Sequence, residues 1–156
     1  MDKNQLMQRA IQLAVKNVGS GRGGPFAALV VRDGEVIAAG TNAVTSGNDP
    51  TAHAEIIAIR NACSKLGRFE LSGCEIYSTS EPCPMCLGAI HWARPSHVYF
   101  AALTEDVAQA GFNDKSIREQ MTLPYERQRI PIERLPHGDA LLPFKAWQGK
   151  TDKILY

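Results

Sequence analysis

Phe26-Ala27-Ala28-Leu29-Val30-Val31-Arg32-Asp33-Gly34-Glu35-Val36-Ile37-Ala38-Ala39 decides the architecture. The unbroken apolar run Phe26–Val31 has the length and branched content of a strand buried on both faces. Asp33-Gly34 is a two-residue turn signal, and Glu35–Ala39 reads as the returning strand of a hairpin. Upstream, Leu6, Ala10, Leu13, Ala14 and Val18 recur at helical spacing, which predicts a helix over residues 4–17. A loop of Gly19, Gly21, Gly23, Gly24 and Pro25 ends it. Downstream, Asn48-Asp49-Pro50 closes a loop, with Asp49 as N-cap and Pro50 as first helical position of a helix over residues 51–66. A strand over 74–78 follows, then a helix opened by Pro82 and Pro84 and stopped by Arg94-Pro95, then a strand over 97–102. Beyond it the pattern predicts short helices over 106–110 and 115–121, an edge strand over 130–134 and a last helix over 141–147. Strands alternating with helices after an opening hairpin predict an α/β fold, a three-layer α-β-α sandwich around a mixed five-stranded sheet.

The chain has 156 residues, which fits a single domain over 1–156. Hydrophobic residues at 44% and charged residues at 21% are an ordinary globular balance and exclude a disordered chain. Lys plus Arg total 17 against 16 for Asp plus Glu, a net charge of +1. That balance lacks the basic excess with which nucleic-acid binders neutralise phosphates, so no nucleic-acid partner is expected. Phe26–Val31 falls far short of the ~20 apolar residues that span a bilayer, and no membrane partner is expected. The polar start Met1-Asp2-Lys3-Asn4-Gln5 is unlike a secretory signal, so the expected location is the cytoplasm.

Four cysteines are present. Cys63 and Cys74 stand alone among apolar neighbours and read as small core residues. Cys83 and Cys86 do not. Thr51-Ala52-His53-Ala54-Glu55 and Glu81-Pro82-Cys83-Pro84-Met85-Cys86 each open a predicted helix after a strand and loop. In an α/β sheet such helix N-termini converge at one edge, where ligands bind. His53, Cys83 and Cys86 are thus candidate ligands of one Zn2+ per subunit, with a fourth position left for water. Pro84 has no amide hydrogen to lose at a helix start, and the positive N-terminus favours thiolates. Glu55, two residues after His53, can lie beside the metal without ligating it and carry protons as the catalytic residue. A lone CxxC could be a redox pair, and a structural zinc could draw on His91 or His97 as a fourth ligand. An H-x-E followed by P-C-x-x-C is, however, the signature of zinc-dependent base deaminases.

On these motifs the sequence resembles the cytidine-deaminase-like zinc deaminase superfamily and, within its purine branch, the small bacterial guanine deaminases. The resemblance spans nearly the whole chain, from Gly24-Pro25-Phe26 and Asn42, through both zinc motifs and Trp92-Ala93-Arg94-Pro95, to Ala110-Gly111-Phe112, Pro143-Phe144-Lys145-Ala146-Trp147 and Tyr156. It implies hydrolytic deamination of a free purine base, guanine to xanthine plus ammonia, with zinc as cofactor. It also implies that Phe26, Phe112 and Trp92 pack around the purine, and that Asn42 and the Ala54 backbone bond its edge. Asp114 would contact the amidine side and share proton handling. A homodimer is implied, with the C-terminal segment packing on a partner and Tyr156 over the neighbouring site. Two departures stand out: Ala27 where the family has glycine, and Asn113 in place of a second acidic residue.

From the residues alone, Phe26 reads as core, Trp92 equally as packing or pocket, and Asn42 and Asp114 as turn residues. His97, His137 and Met85 receive no functional assignment. Deamination of tRNA adenosine, guanosine, cytosine or an aminotriazine is the rival enzymatic reading. A non-catalytic zinc-stabilised binding module is the rival outside enzymes.

Overall fold

A computed structural model describes residues Met1–Tyr156. By internal contacts the chain divides into two units, Met1–Arg118 and Glu119–Tyr156. In the first, α1 (Lys3–Gly19) precedes the hairpin β1 (Ala27–Arg32) and β2 (Glu35–Thr41). A short α2 (Val44–Gly47) and the long α3 (Ala54–Leu66) lead to β3 (Glu75–Ser80), α4 (Pro84–Ala93) and β4 (His97–Ala102). Helix α5 (Thr104–Gln109) follows, and α6 (Asp114–Met121) carries the chain past the boundary. The second unit holds a 3-10 turn at Tyr125–Arg127 and α7 (Leu142–Gly149).

The hairpin turn forms as its residue types require: Asp33 and Gly34 both have positive φ, 53° and 73°. The sheet order is β2-β1-β3-β4, with β1 antiparallel to β2 and to β3, and β3 parallel to β4. Because β1 alone is reversed, β2, β3 and β4 point the same way and their C-terminal ends share one edge. Strand β1 is buried on both faces, and its period-2 alternation divides the core. Ala28 and Val30 join Ala54, Ala58 and Ala62 of α3 and Ile90 and Ala93 of α4. Leu29 and Val31 join Leu6 and Ala10 of α1 and Tyr77 of β3. One helix covers one face and two cover the other, which is the expected three-layer sandwich. Leu29 is fully buried, and its truncation to alanine would cost about 2–5 kcal/mol.

Two expectations are corrected. The sheet has four strands, since residues 130–134 pair with nothing: Pro131 lacks the amide that a ladder needs. Helix α3 begins at Ala54 rather than at residue 51. Asp49 does not cap it, because its carboxylate is taken by the Thr51 amide at 2.8 Å and hydroxyl at 2.7 Å. Those bonds stabilise the turn that precedes the helix. They also hold the Asp49 carboxyl below its usual range.

Gly40 lets α3 approach. A methyl group there would overlap Ala54 O and Ala58 N, so the first turn of α3 rests directly on β2. That close approach fixes where His53 and Glu55 stand relative to the sheet.

Candidate active site

The shared edge of β2, β3 and β4 is where α3 and α4 begin. His53 is the N-cap residue of α3 and Cys83 that of α4, both with extended backbone, at ψ 155° and 167°. An N-cap residue leaves the helix direction, so its side chain is free to turn across the gap between the two helices. Cys86 lies in the first turn of α4, behind Pro84 at N1. The His53 Nδ1 atom stands 3.6 Å from Cys83 Sγ and 3.5 Å from Cys86 Sγ. The three ligand atoms lie within 4.8 Å of one another.

These separations test the fit to zinc. With Zn–N about 2.0–2.1 Å and Zn–S about 2.3 Å, tetrahedral geometry puts a nitrogen and a sulfur ligand roughly 3.6 Å apart. The observed spacing matches, and a His-Cys-Cys donor set is one that zinc favours. The residues fit the metal. They also polarise one another. Hydrogen bonds from Cys86 and from His53 hold the Cys83 thiol well below its ordinary range. Cys86 is pushed up by its bond to Cys83 and by burial, and His53 is pushed up chiefly by Cys83.

Glu55 stands beside this set without belonging to it. Its side chain is 5% exposed, with Oε2 3.5 Å from Cys86 Sγ and Oε1 accepting a 3.1 Å hydrogen bond from Ser78 Oγ. Burial raises its carboxyl above the usual range, while the Ser78 bond pulls the other way. A buried carboxyl next to a cation site, outside its ligand set, is placed to take a proton and return it.

A cavity of about 210 Å³ opens in front of these groups, lined among others by Phe26, Asn42, Phe112 and Asp114. Phe26 and Phe112 meet edge to face, with ring centroids 4.8 Å apart. Asn42 is 7% exposed, and its Oδ1 accepts from the amides of Gly24 and Val44 at 3.2 and 3.3 Å. Asn17 steadies the same loop by donating to the carbonyls of Gly24 and Asn42, both at 2.9 Å. With its oxygen engaged, Asn42 presents an amide donor. Asp114 opens α6, and burial raises its carboxyl, with Cys83 adding and His53 and Arg118 opposing.

The structure therefore brings together His53, Cys83, Cys86, Glu55, Phe26, Asn42, Phe112 and Asp114. Ala54 is fully buried at the start of α3, where first-turn amides have no intrahelical partner. Trp92 is 65% exposed and is not among the residues that line this cavity. It sits near the far end of α4, about 13 Å of helix rise beyond Cys83. Tyr156 lies in the second unit and is 72% exposed. Sequence reasoning did not single out Ser78, Val44, Thr45 or Ser80, which carry no motif, nor a role for the Glu81 side chain.

Comparison with known proteins agrees with this geometry. Residues 1–102 match the cytidine and deoxycytidylate deaminase zinc-binding region. The guanine deaminase of Bacillus subtilis is 47% identical over 156 residues, all of both chains. The X-ray structure of guanine deaminase from that organism superposes with a TM-score of 0.98, covering 100% of this chain and 99% of that one. A tRNA-specific adenosine deaminase of Aquifex aeolicus is 47% identical over 79 residues, 51% of this chain and 52% of that protein. The chain belongs to the cytidine and deoxycytidylate deaminase zinc-binding family.

Proposed function

We propose that the protein hydrolytically deaminates a free purine base, converting guanine and water to xanthine and ammonia, with one zinc held by His53, Cys83 and Cys86. The observation that carries this reading is Glu55, buried beside a three-residue ligand set that it does not join. A purely structural metal site has no use for such a carboxylate. The full-length likeness to a guanine deaminase supports the choice of base.

Zinc bound there supplies the Lewis acidity that makes water nucleophilic at neutral pH. The rest is done by the chain. Phe26 and Phe112 hold a flat ring in place, so that the ring carbon bearing the amine faces the ligand set. Asn42 donates to an acceptor on the purine edge, and the Ala54 amide bonds the same edge. Glu55 takes one proton from the attacking water and delivers it to the adjacent ring nitrogen. It then takes the second proton from the oxygen added to the ring carbon and gives it to the amine, which leaves as ammonia as the C–N bond breaks. Asp114 faces the amidine side, where its raised carboxyl shares proton handling. A cavity of about 210 Å³ lies below the ~300–1,000 Å³ of sites for larger ligands and suits a bare base.

The C-terminal unit belongs to a homodimer in this reading, packing on the partner with Tyr156 over the neighbouring site. Its residues support this: none is buried, and Leu135, Ile130, Leu155 and Tyr156 are 90%, 76%, 74% and 72% exposed. No helix is long and apolar enough to cross a membrane, in keeping with a cytoplasmic enzyme.

The test is ammonia release by zinc-loaded protein from guanine, adenine, guanosine, cytosine, an aminotriazine and tRNA. Guanine is expected to be turned over fastest. Preferential deamination of tRNA adenosine, or no ammonia from any substrate, would overturn the assignment, the second outcome favouring a zinc-stabilised binding module.

A further inference from the structure

We propose that Arg118 is a positioning residue for the deamination, tying the helix that carries Asp114 to the loop that carries Cys83. The inference rests on the role given to Asp114 above. The Arg118 guanidinium donates from Nη2 to the carbonyl of Pro82, the residue before Cys83. The same group pairs with Glu81 Oε1 at 3.4 Å. Glu81 Oε2 in turn accepts from Thr104 Oγ1 at 2.6 Å and from the Thr104 amide at 3.3 Å. Thr104, Glu81 and Arg118 thus join the start of α5, the ligand loop and α6 in one chain of contacts.

The placement on α6 gives this chain its consequence. Arg118 follows Asp114 by four residues, so both lie on one face of the helix. The face that presents Asp114 to the cavity is the face that Arg118 fastens to the Cys83 loop. Arg118 therefore sets the distance from Asp114 to the ligand set.

Stability is a poor explanation for the arrangement. The Arg118 and Glu81 side chains are 29% and 33% exposed, and ion pairs in contact with water contribute little. The Arg118 Nε atom is buried with no hydrogen-bond partner, a further cost. A directional bond to a backbone carbonyl is instead a means of holding geometry, and small misplacement of a reacting group lowers rates by up to about a hundredfold.

The test compares zinc-loaded, full-length wild type with Arg118→Met, Arg118→Lys, Asp114→Asn and the double variant Arg118→Met/Asp114→Asn. Arg118→Met is expected to lower kcat about ten- to a hundredfold, with KM changed far less. Zinc content and thermal midpoint stay near wild type. Arg118→Lys, which keeps the charge and a donor, recovers part of the loss. In the Asp114→Asn background, Arg118→Met removes little more, because both changes act through one carboxyl. Wild-type kcat for Arg118→Met, losses that multiply in the double variant, or a loss explained by missing zinc would overturn the proposal. Normal turnover by Asp114→Asn would overturn both it and the role of Asp114. No ammonia from wild type would instead sink the guanine reading itself.

Discussion

Replacing Ser78 by alanine isolates the support that the fold gives to Glu55. Ser78 Oγ donates to Glu55 Oε1 at 3.1 Å, and the two residues are 1% and 5% exposed. A deleted hydroxyl leaves too little room for a water to take its place, so the carboxylate loses a partner outright. Hydrogen bonds to charged groups contribute about 1.5–3 kcal/mol, and each 1.4 kcal/mol is tenfold in rate. If Glu55 must be ionised to accept the water proton, Ser78→Ala lowers kcat about ten- to a hundredfold. The KM for guanine should barely change, since Ser78 does not line the cavity. Ser78→Thr keeps the hydroxyl and should retain most activity. The assay is initial-rate ammonia release, with zinc content measured on the same samples. A fully zinc-loaded Ser78→Ala protein with kcat within about twofold of wild type would show that Glu55 does not depend on this bond.

Three further outcomes follow from the same geometry. Gly40→Ala should force the first turn of α3 off β2 and cost about 1–3 kcal/mol, read as a fall of about 2–12 °C in thermal midpoint together with reduced zinc retention. Cys86→Ser removes a ligand 3.5 Å from His53 Nδ1, and elemental analysis of the purified variant should find well under one zinc per chain. Tyr77 is 1% exposed and donates to Glu75 at 2.9 Å, and burial first, then that bond, raises its phenol above the ordinary 10.0. The folded state keeps a proton that the unfolded chain gives up, so this stability is complete below about pH 10 and is lost as pH rises above it. Thermal midpoints from pH 9 to 11 should fall more steeply for wild type than for Tyr77→Phe.

The parts of the fold legible in the sequence are those dictated by local chemistry. Asp33-Gly34 can supply two positive φ angles, and Arg94-Pro95 must stop a helix; Arg94 indeed sits in the left-handed conformation at the end of α4. The candidate metal ligands were legible because two short motifs contain them. The start of α3 was not, because Asp49-Pro50 has the composition of a helix cap while its side chain serves the turn. The absent fifth strand has a similar cause. Ile130 and Ile132 alternate as a strand would, but pairing needs a neighbour and an amide that Pro131 lacks.

Ser78 and Arg118 were illegible for a different reason. One is a small polar residue inside a buried strand, the other a single charge in a segment of mixed sign. Their importance lies in what stands opposite them, Glu55 and the Pro82 carbonyl, across long separations in sequence. Trp92 shows the opposite situation: the likeness in sequence assigns it a substrate contact, while within one chain it is exposed near the far end of α4.

Glu55 carries protons, in the proposed reaction, for chemistry that His53, Cys83 and Cys86 prepare. Glu55→Gln keeps the shape of the side chain and removes its basicity. The decisive comparison is guanine turnover by wild type and Glu55→Gln, each at one zinc per chain. The variant is expected to hold zinc and bind guanine but to lose about 10²–10⁴ in kcat. Near-normal turnover by zinc-replete Glu55→Gln would contradict this role for Glu55.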